Sequence, residues 1–284
     1  MIDQVANESS LRTACLWEAA ARKAGNVHPQ ASFADLTYDD FVLSANAIAP
    51  VLARLVSAPL GSTILEAIRA TRAVVRTNTN LGIVLLLAPL SKCDGDWSQS
   101  LKTILNATTV DDSIHVYEAI RRAIPGGLGE VVNEDVANTP TLPLRDVMAL
   151  AADRDLIARQ YANNFSEVLD EGVPALVTGW EKFGRVEAAI LHAQLHLLSR
   201  FPDTLIARKR GEEEARAISR QASAIDLTTA GGREQYREFD RYLRADGHAR
   251  NPGATADLIA ACLFVALREH RMVLSMPFTW EEYG

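Results

Sequence analysis

The sequence predicts an all-α fold: a single multi-helix domain, 1–284, built around a central buried apolar helix. Three observations lead there. Aromatic residues make up only 6% of the chain while Ala and Leu abound, which favours helix over sheet. Apolar residues recur at helical spacing along most of the chain, and period-two alternation is absent. The run 81–90, LGIVLLLAPL, has no polar face, as expected of a helix enclosed on every side. Roughly ten helices with short connections fit one helical domain.

The elements follow in order. Leu11, Cys15 and Ala19 mark a helix over 11–23, with Gly25 as its C-terminal cap. Thr37-Tyr38-Asp39-Asp40 resembles a capping box and starts a helix through Phe41, Ala45 and Ile48, with a bend at Pro50. Gly61-Ser62 opens the next, with Ile64, Leu65, Ile68 and Val75 as its stripe. It delivers the chain to Thr77-Asn78-Thr79-Asn80, whose side chains suit the free N–H groups at the start of the apolar helix. Asp96 and Asp111 cap two further helices. The segment 125–130, PGGLGE, breaks the chain, and 131–143 reads as a long ordered loop. Helical pattern returns over 144–152, 153–169 and from Val186 through Leu197, then over 211–225. Gly231-Gly232 breaks the chain before a helix at 234–243, and Asn251-Pro252-Gly253 opens a last, almost wholly apolar helix over 254–267.

A formal net charge of −7 excludes general binding to nucleic-acid backbone. Cys15, Cys93 and Cys262 are far apart, which suits a reducing compartment and gives no zinc site. The polar N-terminus is not a secretory signal, and 81–90 is too short to span a bilayer. The expectation is a soluble cytoplasmic protein with neither nucleic-acid nor membrane partner. An apolar helix left exposed would make it a homodimer.

Four polar breaks sit beside buried-looking helices. Lys23-Ala24-Gly25-Asn26-Val27-His28 offers a lysine and backbone N–H groups to a phosphate, or is simply a helix cap with a surface lysine. Asn78, Thr79, Asn80 and Gly82 stand at the start of the apolar helix, where anions are favoured. Asp203, followed by Arg208 and Lys209, could hold Mg²⁺ and phosphate, or be a helix N-cap beside a solvated basic face. Asn251 and Gly253 precede Asp257, an acid early in an apolar helix that needs a partner. His192 and His196 share a helix face without the glutamate of a zinc-protease motif, so a structural role is expected. There is no Walker A loop, GxSxG or GxGxxG.

In this order the breaks resemble the triphosphoribosyl-dephospho-CoA synthase family. Lys23-Ala24-Gly25 resembles its Lys-Pro-Gly motif, and 76–82 its Asn-Thr-His-Lys-Gly block, with Asn80-Leu81 in place of His-Lys. Gly126-Gly127-Leu128-Gly129-Glu130 resembles Gly-Ala-Arg-Gly-Glu. Asp203-Thr204 with Arg208, and Asn251-Pro252-Gly253 with Asp257, resemble Asp-Thr…Arg and Ser-Pro-Gly-Gly…Ala-Asp-Leu. The similarity runs from about Glu18 to Leu267 and is greater to the branch seen in archaea and one-carbon-metabolising bacteria. It implies an all-α transferase that joins ATP to dephospho-CoA and releases adenine, with Mg²⁺. On that footing Asp203 and Asp257 are candidates for metal or ribose, and Glu130 for general base. Lys23, Arg208 and Lys209 would contact phosphate. Asn78, Thr79, Asn80 and Gly82 would line the pocket, joined by Gly25, Asn26, His28, Asn251 and Gly253. Distant loops are then expected to meet in one polyanion cavity. The alternatives are transfer or ligation on another coenzyme precursor, such as a pterin, and a nucleotide-binding helical protein without catalysis.

Overall fold

The computed structural model describes residues 2–123 and 135–273. The fold is all-α: fourteen α-helices and no strand among the described residues. They group into two compact units.

The first unit comprises residues 1–16 and 39–166. It holds most of α1 (Gln4–Ala20), then α2 (Tyr38–Arg54), α3 (Leu60–Val74), α4 (Leu81–Ser91), α5 (Trp97–Asn106), α6 (Val110–Ala123), α7 (Leu144–Ala151) and α8 (Leu156–Asn163). As the sequence predicts, α4 is buried on every side, Gly82 being its least covered position. Pro89 lies inside it and has no N–H to offer the Leu85 carbonyl one turn back. The buried Tyr161 hydroxyl replaces that donor, reaching Leu85 O at 2.6 Å. Just past α4, Lys92 Nζ donates to the carbonyls of Leu55, Val56 and Ala58 at 2.6, 3.1 and 2.8 Å, closing the turn after α2. Burial lowers its pKa to about 8.

Several expected boundaries move. Helix α1 starts and ends earlier than 11–23: it stops at Ala20, so Lys23 lies in the following loop. Asp111 is not the cap of α6. Thr109 and Asp112 form a reciprocal box there: Thr109 N donates to Asp112 Oδ2 at 2.8 Å and Asp112 N to Thr109 Oγ1 at 3.2 Å. The stretch 153–169 is not one helix. Asp155 caps α8, and Asn164 and Phe165, both at positive φ, end it.

The second unit comprises residues 17–38 and 167–284. A π-helical segment, Glu167–Gly172, leads into α9 (Val173–Phe183), followed by α10 (Val186–Arg200), α11 (Thr204–Arg210), α12 (Glu212–Ser223), α13 (Ala230–Arg244) and α14 (Gly253–Arg268). Leu191, Leu195 and Leu198 of α10, Ile218 of α12 and Phe239 and Leu243 of α13 share one core with Ala24. Gly231 and Gly232 do not break the chain. They form the first turn of α13, where Thr229 Oγ1 caps Gly232 N at 2.9 Å. Among the described residues no helix is long and apolar enough to cross a membrane.

Candidate ligand-binding site

The loop after α1 organises the second unit. Its backbone polar groups are met by side chains from α10 and α13 rather than by a ladder of its own. Arg22 N donates to Glu187 Oε1 at 3.0 Å. Ala24 N donates to Gln194 Oε1 at 2.9 Å and to the Tyr236 hydroxyl at 2.7 Å, while Gln194 Nε2 donates to Ala24 O at 2.9 Å. Gly25 N donates to Asp240 Oδ1 at 2.7 Å. Gly25 has φ +74°, and a Cβ there would stand 2.9 Å from both Leu243 Cβ and Pro252 Cδ, so only glycine fits without displacement.

Three of the four polar breaks are tied together here. Asn26 Nδ2 donates to Asn251 Oδ1 at 2.6 Å, joining the first to the last. Asp203 joins the starts of α11 and α14. Its Oδ1 accepts from Leu205 N and Ile206 N at 2.9 and 3.1 Å, and its Oδ2 from Thr255 N and Oγ1 at 2.7 and 2.8 Å. The Asp203 side chain has no exposed surface, and burial pushes its pKa up against the pull of those donors. The fourth break, at α4, belongs to the first unit. There Asn78 Oδ1 accepts from Leu81 N at 3.1 Å, Asn80 Nδ2 donates to Thr71 Oγ1 at 2.9 Å, and Thr79 Oγ1 lies 2.5 Å from Ser44 Oγ.

Other candidates take different places from those expected. Lys23 is neither a surface lysine nor open to a phosphate. It is fully buried, with Nζ 2.8 Å from Glu18 Oε1 and also donating to Glu18 O. Lys209 Nζ donates to His248 O at 3.2 Å and lies 3.1 Å from His248 Nδ1, while Arg208 is exposed. Asp257 is half-buried in the second turn of α14. Glu130 and the glycine run before it lie outside the described residues. His196 Nε2 is 2.9 Å from Glu171 Oε2, and His192 sets its ring edge against Phe183, both as structural contacts.

Mg²⁺ is the ion that the resemblance implies. Asp203 does not fit it: every short contact of its carboxylate is to an N–H or O–H donor, and the group is sealed from solvent. Among the described residues no three His, Cys, Asp or Glu side chains are grouped to hold a metal.

Beside the loop lies a cavity of about 250 Å³. Its floor is buried: Leu191, Leu227, the Tyr236 ring and His28. Its rim carries Arg22, Arg233, Arg237, Arg241 and Asp240. Five of these residues come from α13, at 233, 236, 237, 240 and 241, one helical face. That stripe is present in the sequence as arginines four apart through 233–241, but the glutamates between them give it the look of an ordinary charged surface. Glu187 accepts from Arg22 Nε and Nη2 at 2.8 Å each. Arg233 Nη1 donates to the Leu227 and Thr228 carbonyls at 3.2 Å each and has no carboxylate partner among the described residues. Burial, reinforced by the Arg244 charge, lowers the His28 pKa to about 4, so its ring is neutral near pH 7.

Fold and site thus define an all-helical protein with a cation-rimmed, apolar-floored pocket closed by a loop stitched from several helices. A family profile described as CitG, ATP:dephospho-CoA triphosphoribosyl transferase, matches residues 6–275, and the chain belongs to that family. Over 116 residues it is 34% identical to a protein of Pseudomonas paraeruginosa assigned as a 2-(5″-triphosphoribosyl)-3′-dephosphocoenzyme-A synthase, covering 38% of each chain. Over 114 residues it is 32% identical to a protein of the same assignment from Pseudomonas putida, covering 38% of this chain and 40% of that one. The chain thus spans about two fifths of the length of the curated relatives it matches. A crystal structure from Archaeoglobus fulgidus, assigned as a triphosphoribosyl-dephospho-CoA synthase, superposes with a TM-score of 0.63 at 27% identity. The match covers 81% of this chain and 99% of that one.

Proposed function

We propose that this chain transfers the triphosphoribosyl group of ATP to a hydroxyl of dephospho-CoA, with release of adenine. The C1′–N9 bond of ATP breaks, a C1′–O bond to the acceptor forms, and the acceptor's hydroxyl proton leaves with adenine. The bond-breaking step builds positive charge on the ribose. It profits from fixed polar groups around the sugar and from exclusion of water, which would otherwise capture the ribosyl cation. The observation that carries the reading is that three sequence-distant breaks of the family pattern are joined by hydrogen bonds, and the first of them lines an arginine-rimmed cavity. Incubation with ATP, Mg²⁺ and dephospho-CoA, followed by chromatography, should yield adenine in proportion to product. No adenine from well-folded protein would reject the activity.

A second reading, the same transfer onto another coenzyme precursor such as a pterin, has one observation in its favour. Where the family block has His-Lys, Asn80 is engaged with Thr71 and Leu81 is buried, so neither supplies a proton donor or cation to a substrate. A thermal-shift screen of coenzyme precursors separates the acceptors, because a true ligand raises the midpoint by mass action. Nucleotide binding without turnover on any precursor would make it a binding protein.

A further inference from the structure

We infer that the α13 cavity is the seat of a polyphosphate, held by Arg233 and Arg237 at the rim above a buried floor that includes His28. This rests on the reading of the chain as a user of a nucleoside triphosphate, and it moves the phosphate site away from Lys23, Arg208 and Lys209.

The charged groups of the lining are mostly donors. Arg233 brings a guanidinium that donates to two carbonyls, which leaves its charge unmatched by any carboxylate among the described residues. Arg237 lies one turn on and pairs with Glu234 at 2.8 Å, an exposed contact that an incoming anion can displace at little cost. The one carboxylate at the rim, Asp240, is already committed: its Oδ1 accepts from Gly25 N at 2.7 Å and from Arg244 Nε at 2.8 Å, and its Oδ2 from Arg244 Nε at 3.0 Å. It therefore repels an anion weakly.

His28 forms part of the floor. It is only 8% exposed and lines the cavity. Its Nδ1 is engaged locally by Gln30, 3.1 Å from Oε1 and 3.3 Å from the backbone N. Arginine forks match the oxygens of a phosphate chain.

The test is calorimetric titration of the full chain with inorganic tripolyphosphate, without nucleotide or metal. Saturable binding at one site per chain is expected. Arg233→Gln and Arg237→Gln should each weaken it about tenfold, the loss expected of one charge-assisted contact. Arg216→Gln, an exposed arginine on α12, should leave it within twofold. Absence of saturable binding, rim variants that bind like the parent, or an equal loss in Arg216→Gln would overturn the inference. Adenine release is read separately. Tripolyphosphate binding that obeys this pattern without adenine release leaves the site standing and rejects the transferase reading. Adenine release with an unchanged KM for ATP in Arg233→Gln and Arg237→Gln does the reverse.

Discussion

Replacing Asp203 by Asn tests whether this carboxylate is a fastener or a ligand. The substitution keeps shape and keeps one oxygen for the α11 cap at Leu205 and Ile206. It puts an amide –NH₂ where Thr255 N now donates at 2.7 Å, so two donors face each other in a site closed to solvent. Hydrogen bonds to a charged group are worth about 1.5–3 kcal/mol each, and a buried donor left unpaired costs about 1–3 kcal/mol. Against this, the variant no longer buries a charge, which offsets part of the loss. The expected net destabilisation is about 2–4 kcal/mol. At about 2–4 °C per kcal/mol for a chain of this size, the midpoint falls by roughly 5–15 °C. Asp203→Ala, which also removes the cap, should fall further by about 1 kcal/mol. The assay is urea and thermal unfolding followed by circular dichroism, with Mg²⁺ titrated calorimetrically in parallel. In a Thr255→Val background the cost of Asp203→Asn should shrink by about 1 kcal/mol, since the two share a bond. A variant that keeps the parent midpoint but loses Mg²⁺ binding would refute the reasoning and restore the metal role.

Three further outcomes follow from other contacts. Lys23→Met or Glu18→Gln alone should cost about 3–5 kcal/mol, because each leaves a buried partner uncompensated, while Lys23→Met with Glu18→Leu should recover much of it, as read from unfolding midpoints. Tyr161→Phe should cost about 1–3 kcal/mol by orphaning the Leu85 carbonyl, and adding Pro89→Ala should restore most of this, since alanine at that position brings back the helical N–H. His28 has a folded pKa of about 4 against 6.5 in the unfolded chain, so the unfolded state takes up the proton first. Stability contributed by His28 is therefore lost as pH falls from 6.5 through 4, and the pH dependence of the urea midpoint over that window should flatten in His28→Gln.

The helical architecture was legible because its signals are local. An apolar run without a polar face, as in α4, has one solution, and Asp96 announces a helix start by side-chain chemistry alone. Sequence reasoning falters where a distant group decides. Lys23 and Glu18 are five residues apart and meet only because α1 ends at Ala20, which periodicity does not show. Asp203 reads as either cap or metal ligand, and Thr255, fifty-two positions away, makes it a fastener. The glycine pair at 231–232 reads as a break, yet Gly232 is packed so closely on the Asp226 backbone that a Cβ would stand 1.8 Å from its carbonyl oxygen. The cavity rim is illegible because a stripe of arginines on a charged helix looks like a solvated face until the neighbouring loop is in place.

The exchange of proline for Ala24 in the opening motif carries an obligation. A proline at that place brings no amide proton, whereas Ala24 brings one into a spot closed to solvent, and Gln194 and Tyr236 are there to receive it. Restoring the proline would take that donor from both acceptors. Positions 24, 194 and 236 therefore form one hydrogen-bonded unit, although 170 residues separate Ala24 from Gln194.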